Sequence, residues 1–260
     1  DVMKKFVFTI IISFFSIYSF AQGLTNFDVE LEEITIQGVP ALQSFAWAKT
    51  TNGKWLLIAG RTDGLHDHRP PFSFPSNLAN DDIWVVDPVA HQVWSAPMNS
   101  LSANLKNALS ATNTEFQQLG DVLYLVGGYG VNISTNQHET FDHITAVDVT
   151  PLANAIITNQ PITGHFRQLT DARFQVTGGY MHLIGNDFYL VGGQNFDGRY
   201  NPHNGPSFNQ TYSESIKKFN IVDNGSTIQV ANYEDTVDAV NLHRRDYNMC
   251  PQIFPNGDTG

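Results

Sequence analysis

Three times along this chain a short apolar run ends in a pair of small residues. Asp121–Gly128 reads D-V-L-Y-L-V-G-G, Asp187–Gly193 reads D-F-Y-L-V-G-G, and Lys54–Gly60 reads K-W-L-L-I-A-G. The second members of the pairs are Gly60, Gly128 and Gly193, spaced by 68 and 65 residues. A repeat at near-constant period constrains the fold more than any single segment does, because each copy is one structural unit that must bury its faces against the next. Around each run the order is the same: strand, turn, apolar strand ending in small residues, long polar loop, strand, turn, strand.

Read along the chain, the first unit has strands over Ala41–Ala48 and Lys54–Ala59 joined by Thr51-Asn52-Gly53, an Asn-Gly hairpin signal. The Pro-rich loop Arg61–Asn80 follows, then Ile83–Asp87 and Gln92–Ser95 about Pro88-Val89-Ala90. The second unit opens on Leu101, Leu105 and Leu109 at helical spacing, with Ser102 as a cap. Strands follow at Thr112–Gln118, Val122–Val126 and His143–Val149, while Pro151–Ile157 fits either an outer strand or a short helix. The third has strands at Arg173–Ile184, Phe188–Val191, Ser215–Val222 and Thr227–Ala231, and a fourth unit starts at Arg244–Ile253. An isolated strand, Phe27–Gln37, precedes the first unit. The expectation is an all-β chain of four-stranded antiparallel sheets, with units over about 41–96, 101–158 and 172–232 and the start of a fourth at 244. Small radial sheets of this kind, apolar on both faces, are stable when stacked on one another around an axis.

Composition agrees with many short strands: aromatics are 12% and charged residues 15% of the 260 residues, and no long amphipathic pattern is present. The net charge of −11 argues against nucleic-acid binding, which needs a basic stripe. At the N-terminus Lys4 and Lys5 precede the apolar run Phe6–Phe20, and Ser19-Phe20-Ala21 offers small residues for a signal peptidase. Residues 1–21 are thus expected to be a secretory signal peptide cleaved before Gln22, with Met3 as the start. The run is shorter than the ~20 residues that span a bilayer, so no membrane span is expected after cleavage. The single Cys250 leaves no internal disulfide within these residues.

Leu125-Val126-Gly127-Gly128, Leu190-Val191-Gly192-Gly193, the weaker Ile58-Ala59-Gly60, and Asp87-Pro88 followed by Trp94 together resemble the kelch-repeat β-propellers, the group that includes galactose-oxidase-like central domains. The resemblance runs from about Ala41 to Gly260. The whole chain also resembles secreted kelch-type proteins of the Bacteroidetes group, in which a C-terminal sorting domain often follows. It implies a β-propeller of which residues 22–260 are an N-terminal portion, since such rings usually have six or seven blades.

Two loops after the small pairs share an Asp-Gly step: Gly60-Arg61-Thr62-Asp63-Gly64-Leu65-His66 and Gly193-Gln194-Asn195-Phe196-Asp197-Gly198-Arg199-Tyr200. Asp-Gly makes turns, yet loops this long are often functional. Arg61, Asp63, His66, Asp197, Arg199 and Tyr200 are therefore ligand-binding candidates. Arg244, Arg245 and Asp246 open the fourth unit; with Arg173 and Glu115 they read either as an Arg–carboxylate network between sheets or as a site for an anion or sugar acid, since Arg grips carboxylates through forked donors. His66-Asp67-His68 lacks a third ligand at any fixed spacing, so no metal is assigned. The copper site of galactose oxidase is not matched, and no cofactor is expected. With no nucleophile–base pair, phosphate loop or Cys/His cluster, no catalytic residue is assigned. A glycan- or protein-binding module outside the cell is the leading expectation; an extracellular carbohydrate-active enzyme, an epimerase or an oxidase, is the alternative.

Overall fold

The computed structural model describes residues 30–65, 67, 70–201, 207–250 and 254. The expected signal peptide, His66, His68 and the end of the fourth unit lie outside them. The chain divides into two units, 1–35 and 36–260. Of the first, residues 30–35 are exposed and carry no helix or strand, so no strand is present in the described part of Phe27–Gln37.

The second unit is mostly antiparallel β-sheet. Its first sheet is a meander of β1 (Ala46–Lys49), β2 (Trp55–Ile58), β3 (Asp82–Asp87) and β4 (Gln92–Pro97). Helix α1 (Ala103–Leu109) leads to the second; Ser102 caps it, its Oγ accepting from Leu105 N–H. The second sheet orders β5 (Glu115–Leu119), β6 (Val122–Val126), β9 (His143–Asp148) and β10 (Phe166–Thr170). The third orders β11 (Tyr180–Ile184), β12 (Asp187–Val191), β15 (Ser215–Asp223) and β16 (Ile228–Val237). In sheets two and three the long loop between the second and third strands folds into a ribbon: β7 (Tyr129–Val131) with β8 (His138–Thr140), and β13 (Gln194–Gly198) with β14 (Phe208–Tyr212).

Strand periodicity sets how the sheets stack. Successive residues of a strand face opposite sides, and β6 is apolar on both: Leu123 and Leu125 join one buried cluster, Tyr124 and Val126 another. The first cluster includes Ala46, Ala48, Leu56, Ile58, Ile83 and Val85 of sheet one. The second includes Met181, Phe188, Leu190 and Phe219 of sheet three. Sheet two is thus layered between the other two. The segment Pro151–Ile157, open between strand and helix, belongs to helix α2 (Val149–Ile157). Its Leu152, Ala153 and Ile156 enter the first cluster, Pro151 sits in the first turn where no amide partner is lost, and Asp121 accepts from Thr150 N–H at 3.1 Å. The outer strand of that sheet is instead Phe166–Thr170. Arg173 lies not on an inner strand but in a short 3-10 turn, bonded to Asp171 and 4.4 Å over the ring of Tyr233.

Each small-residue pair turns the chain in the left-handed region; the first two tie their sheet to the entry of the next sheet, and the third ties its sheet to the irregular chain that follows. The φ values are +65° and +84° at Ala59 and Gly60, +62° and +87° at Gly127 and Gly128, and +57° and +83° at Gly192 and Gly193. The second amide of each pair donates forward: Gly60 to Ala111 O (2.7 Å), Gly128 to Val176 O (2.9 Å) and Gly193 to Arg244 O (2.8 Å). The approach is close. A Cβ on Gly127 would stand 1.9 Å from the Val176 carbonyl oxygen.

Candidate functional site

Just before each innermost strand, and before the chain that follows sheet three, one residue takes positive φ: Ser44 (+51°), Asn113 (+50°), Gly178 (+69°) and Asp246 (+53°). Asn and Asp tolerate this region better than most residues. Two of the steps between them are bridged by backbone bonds, Gly178 N–H to Asn113 O at 3.2 Å and Asp246 N–H to Gly178 O at 2.7 Å. The inner ends of the sheets are therefore held side by side, and two adjoining cavities open there.

The first, of about 450 Å³, is lined from β1, β5, the chain into β11 and residues 246–248. It combines rings (Phe45, Trp47, Tyr180, Tyr247) with polar groups (Asn113, Gln117, Asn248) and two carboxyls, Glu115 and Asp246. The second, of about 350 Å³, shares Ser44, Asn113 and Asp246 with it and adds Gln43, Thr177, Gln194, Tyr200 and Arg245. Its outer wall is an aromatic cluster in which Phe74, Tyr129 and Phe196 are buried and Tyr200 and Phe208 partly so. Polar bonds reinforce that wall. Tyr129 OH donates to Gly198 O at 2.8 Å, Ser73 Oγ to Tyr200 O at 2.7 Å, and His138 Nε2 to Phe74 O at 2.9 Å. The long loops are thus packed structure.

Glu115 is the unusual group. It is 3% exposed, its Oε1 accepts from Gly179 N–H at 2.7 Å, and its Oε2 has no hydrogen-bond partner. Burial pushes its pKa well above the usual carboxylate range; the Gly179 amide opposes this and the Asp246 charge adds to it. Tyr247, packed nearby, is pushed up to about 12 by burial and by Glu115. A carboxyl whose folded pKa exceeds its ordinary value of 4.5 contributes stability that is complete below that value and lost as pH rises through the folded pKa. Glu115→Gln is therefore expected to be the more stable by about 1–3 kcal/mol at alkaline pH and to lose that advantage as pH falls toward the ordinary carboxylate value of 4.5. Urea unfolding across that window would show it; stability curves parallel at every pH would contradict it.

Of the loop residues singled out by sequence, the structure brings Tyr200, Arg245 and Asp246 together at the second cavity. Arg61 and Asp63 pair with each other instead: Arg61 Nε and Nη2 reach the two Asp63 oxygens, both at 2.9 Å, and Nη2 also donates to Pro75 O. The Arg61 guanidinium lies 5.3 Å over the Phe74 ring and the residue is buried, so this pair braces the aromatic wall. Asp197 is exposed on β13, Arg199 Nη1 donates to Pro71 O, and Arg244 Nε donates to Asn241 O at 2.9 Å. His66 lies outside the described residues. Sequence reasoning missed Asn113, Gln117, Tyr247 and Trp47. The signal was available in the phasing, since Asn113 stands ahead of β5 and Asp246 at the corresponding place in the chain after sheet three.

Among the described residues no three His, Cys, Asp or Glu side chains converge as a metal site would require, and no helix is long and apolar enough to cross a membrane. No family model matches the chain, and no curated protein matches it.

Proposed function

We propose that this chain is part of a secreted kelch-type β-propeller that binds glycans through the adjoining cavities at the inner ends of its sheets. The observation that carries the binding role is the cavity lining. Aromatic rings beside amides and carboxyls supply the flat apolar and directional polar contacts that a sugar needs, and concave sites of a few hundred Å³ suit small ligands. Supporting the propeller is the stack of three consecutive meanders, each joined to the next through its small-residue pair. Supporting secretion are the charged start, the apolar run Phe6–Phe20 and the step at Ala21-Gln22.

Trp47 offers the test. It lines the first cavity and is 48% exposed, so its ring can be removed at little structural cost. Trp47→Ala is expected to weaken glycan binding about tenfold or more, the worth of one stacked ring, with unfolding unchanged. A glycan array followed by calorimetry on the best hit would check it. No binding to any glycan by the wild type would reject the reading.

One observation favours the enzymatic alternative: Glu115, whose pKa burial raises well above the usual carboxylate range, shares a cavity with Asp246, and paired carboxyls in unlike environments are a common acid–base arrangement in sugar chemistry. Turnover of a bound glycan, lost in Glu115→Gln, would establish it; unaltered glycan after prolonged incubation would exclude it.

A further inference from the structure

The first cavity has a charge problem that the glycan reading alone does not resolve. Two carboxyls line it, and no Lys, Arg or His does. Arg245, which lines the adjoining cavity, pairs with Asp246, Nη1 to Oδ2 at 3.4 Å, so Glu115 is left without a cationic partner in the lining. Asp246 keeps 48% of its side chain exposed. Two further polar atoms among the lining residues, Glu115 Oε2 and Thr114 Oγ1, are buried without any partner, and the side chains that carry them are more than nine-tenths buried. Buried polar atoms are satisfied as a rule, so such exceptions call for an explanation.

We propose that this cavity takes a cationic ligand of the class of an amine-bearing sugar, with Asp246 and Glu115 as its counter-charges and the rings of Trp47, Tyr180 and Tyr247 as its walls. The inference rests on the glycan-binding reading and narrows it. An ammonium donates hydrogen bonds and accepts none, which suits a lining that includes the partnerless Glu115 Oε2. Cations are attracted to the faces of aromatic rings. The same lining disfavours sugar acids, because a ligand carboxylate would meet two carboxyls and only the Arg245 that already pairs with Asp246.

The groups that face Glu115 are the Gly179 amide from the chain into β11 and Asp246 and Tyr247 from the segment after sheet three, and none of the three is cationic.

The test is titration calorimetry of the full chain with a fully deacetylated glucosamine tetramer and with its N-acetylated counterpart, at about pH 6, below the usual range of amines. The deacetylated tetramer is expected to bind at least about tenfold more tightly, the worth of one charge-assisted contact. Glu115→Gln and Asp246→Asn should each shrink that preference. Equal affinity, or preference for the acetylated tetramer, would overturn the charge assignment and leave the glycan reading standing. Binding of neither tetramer, with other neutral glycans bound, would do the same. Absence of binding to any sugar would overturn both.

Discussion

Gly127→Ala is expected to cost about 4 kcal/mol or more, placing it among the most damaging single changes the fold can suffer. The same change at Gly120 is expected to cost only about 1–2 kcal/mol. The two glycines have nearly the same backbone, φ +62° and +60°, so left-handed strain alone would make them equal. They differ in what a methyl group would meet. At Gly120 nothing lies within 4 Å; at Gly127 the Val176 carbonyl oxygen would be 1.9 Å away and the Phe174 oxygen 3.1 Å. Those are backbone atoms at the entry to the third sheet, so relief requires moving one sheet off the other. Val176 O also accepts the Gly128 amide, a bond that this movement would break. Urea unfolding of the two variants measures the difference directly. Equal losses would mean that the glycine pair serves its own turn only and does not set the distance between sheets.

The second large effect is expected at Arg167, on the outer strand of the second sheet. Its guanidinium is 5% exposed and sits between Asp148 of its own sheet and Asp223 of the third. Nη2 lies 2.9 Å from Asp148 Oδ1 and 2.7 Å from Asp223 Oδ2, and Nε lies 3.1 Å from that same Asp223 oxygen. Tyr124 OH donates to it as well, at 3.3 Å. Removing one member of a buried charged cluster leaves the others uncompensated, so Arg167→Ala is expected to cost about 3–5 kcal/mol at neutral pH. The pH dependence follows from Asp223. Burial alone would raise its pKa, but its bonds from Arg167 and Gly225 outweigh this and hold it below the ordinary 3.8. A depressed carboxylate contributes stability that is present above its ordinary pKa and lost as pH falls through the folded value. The gap between variant and wild type should therefore narrow in acid. A loss under about 1 kcal/mol would place this cluster with surface ion pairs of little worth.

Much of the architecture was legible because it rests on local chemistry repeated in phase. The three apolar runs with small-residue ends mark the second strand of each sheet, Asn52-Gly53 marks a hairpin, and Ser102 marks the start of a helix. Where reading failed, distant contacts had decided the outcome. Pro151–Ile157 stayed open between strand and helix, and the helix is selected because Leu152, Ala153 and Ile156 fill space beside sheets one and two. The polar loops after the second and third small pairs form ribbons, and these pack with the first loop because Phe74, Tyr129 and Phe196, far apart in sequence, share one cluster. The candidate site was harder still. Arg61 and Asp63 carry the residue types of a binding loop, but two residues' separation lets them satisfy each other. Glu115 is distinguished by what it lacks, a partner for one oxygen, and that is visible only once the Gly179 amide has been folded against the other.

The central claim is that the first two sheets are each hung on the next, and the third on the chain that follows it, through the second small residue of each pair. Amide hydrogen exchange at Gly60, Gly128 and Gly193 tests it most directly, since loop amides left to water exchange without global unfolding while those locked between sheets do not. The account predicts that all three are protected to the level of the central strands β2, β6 and β12. Exchange at the rate of exposed loop amides at any two of them would contradict it.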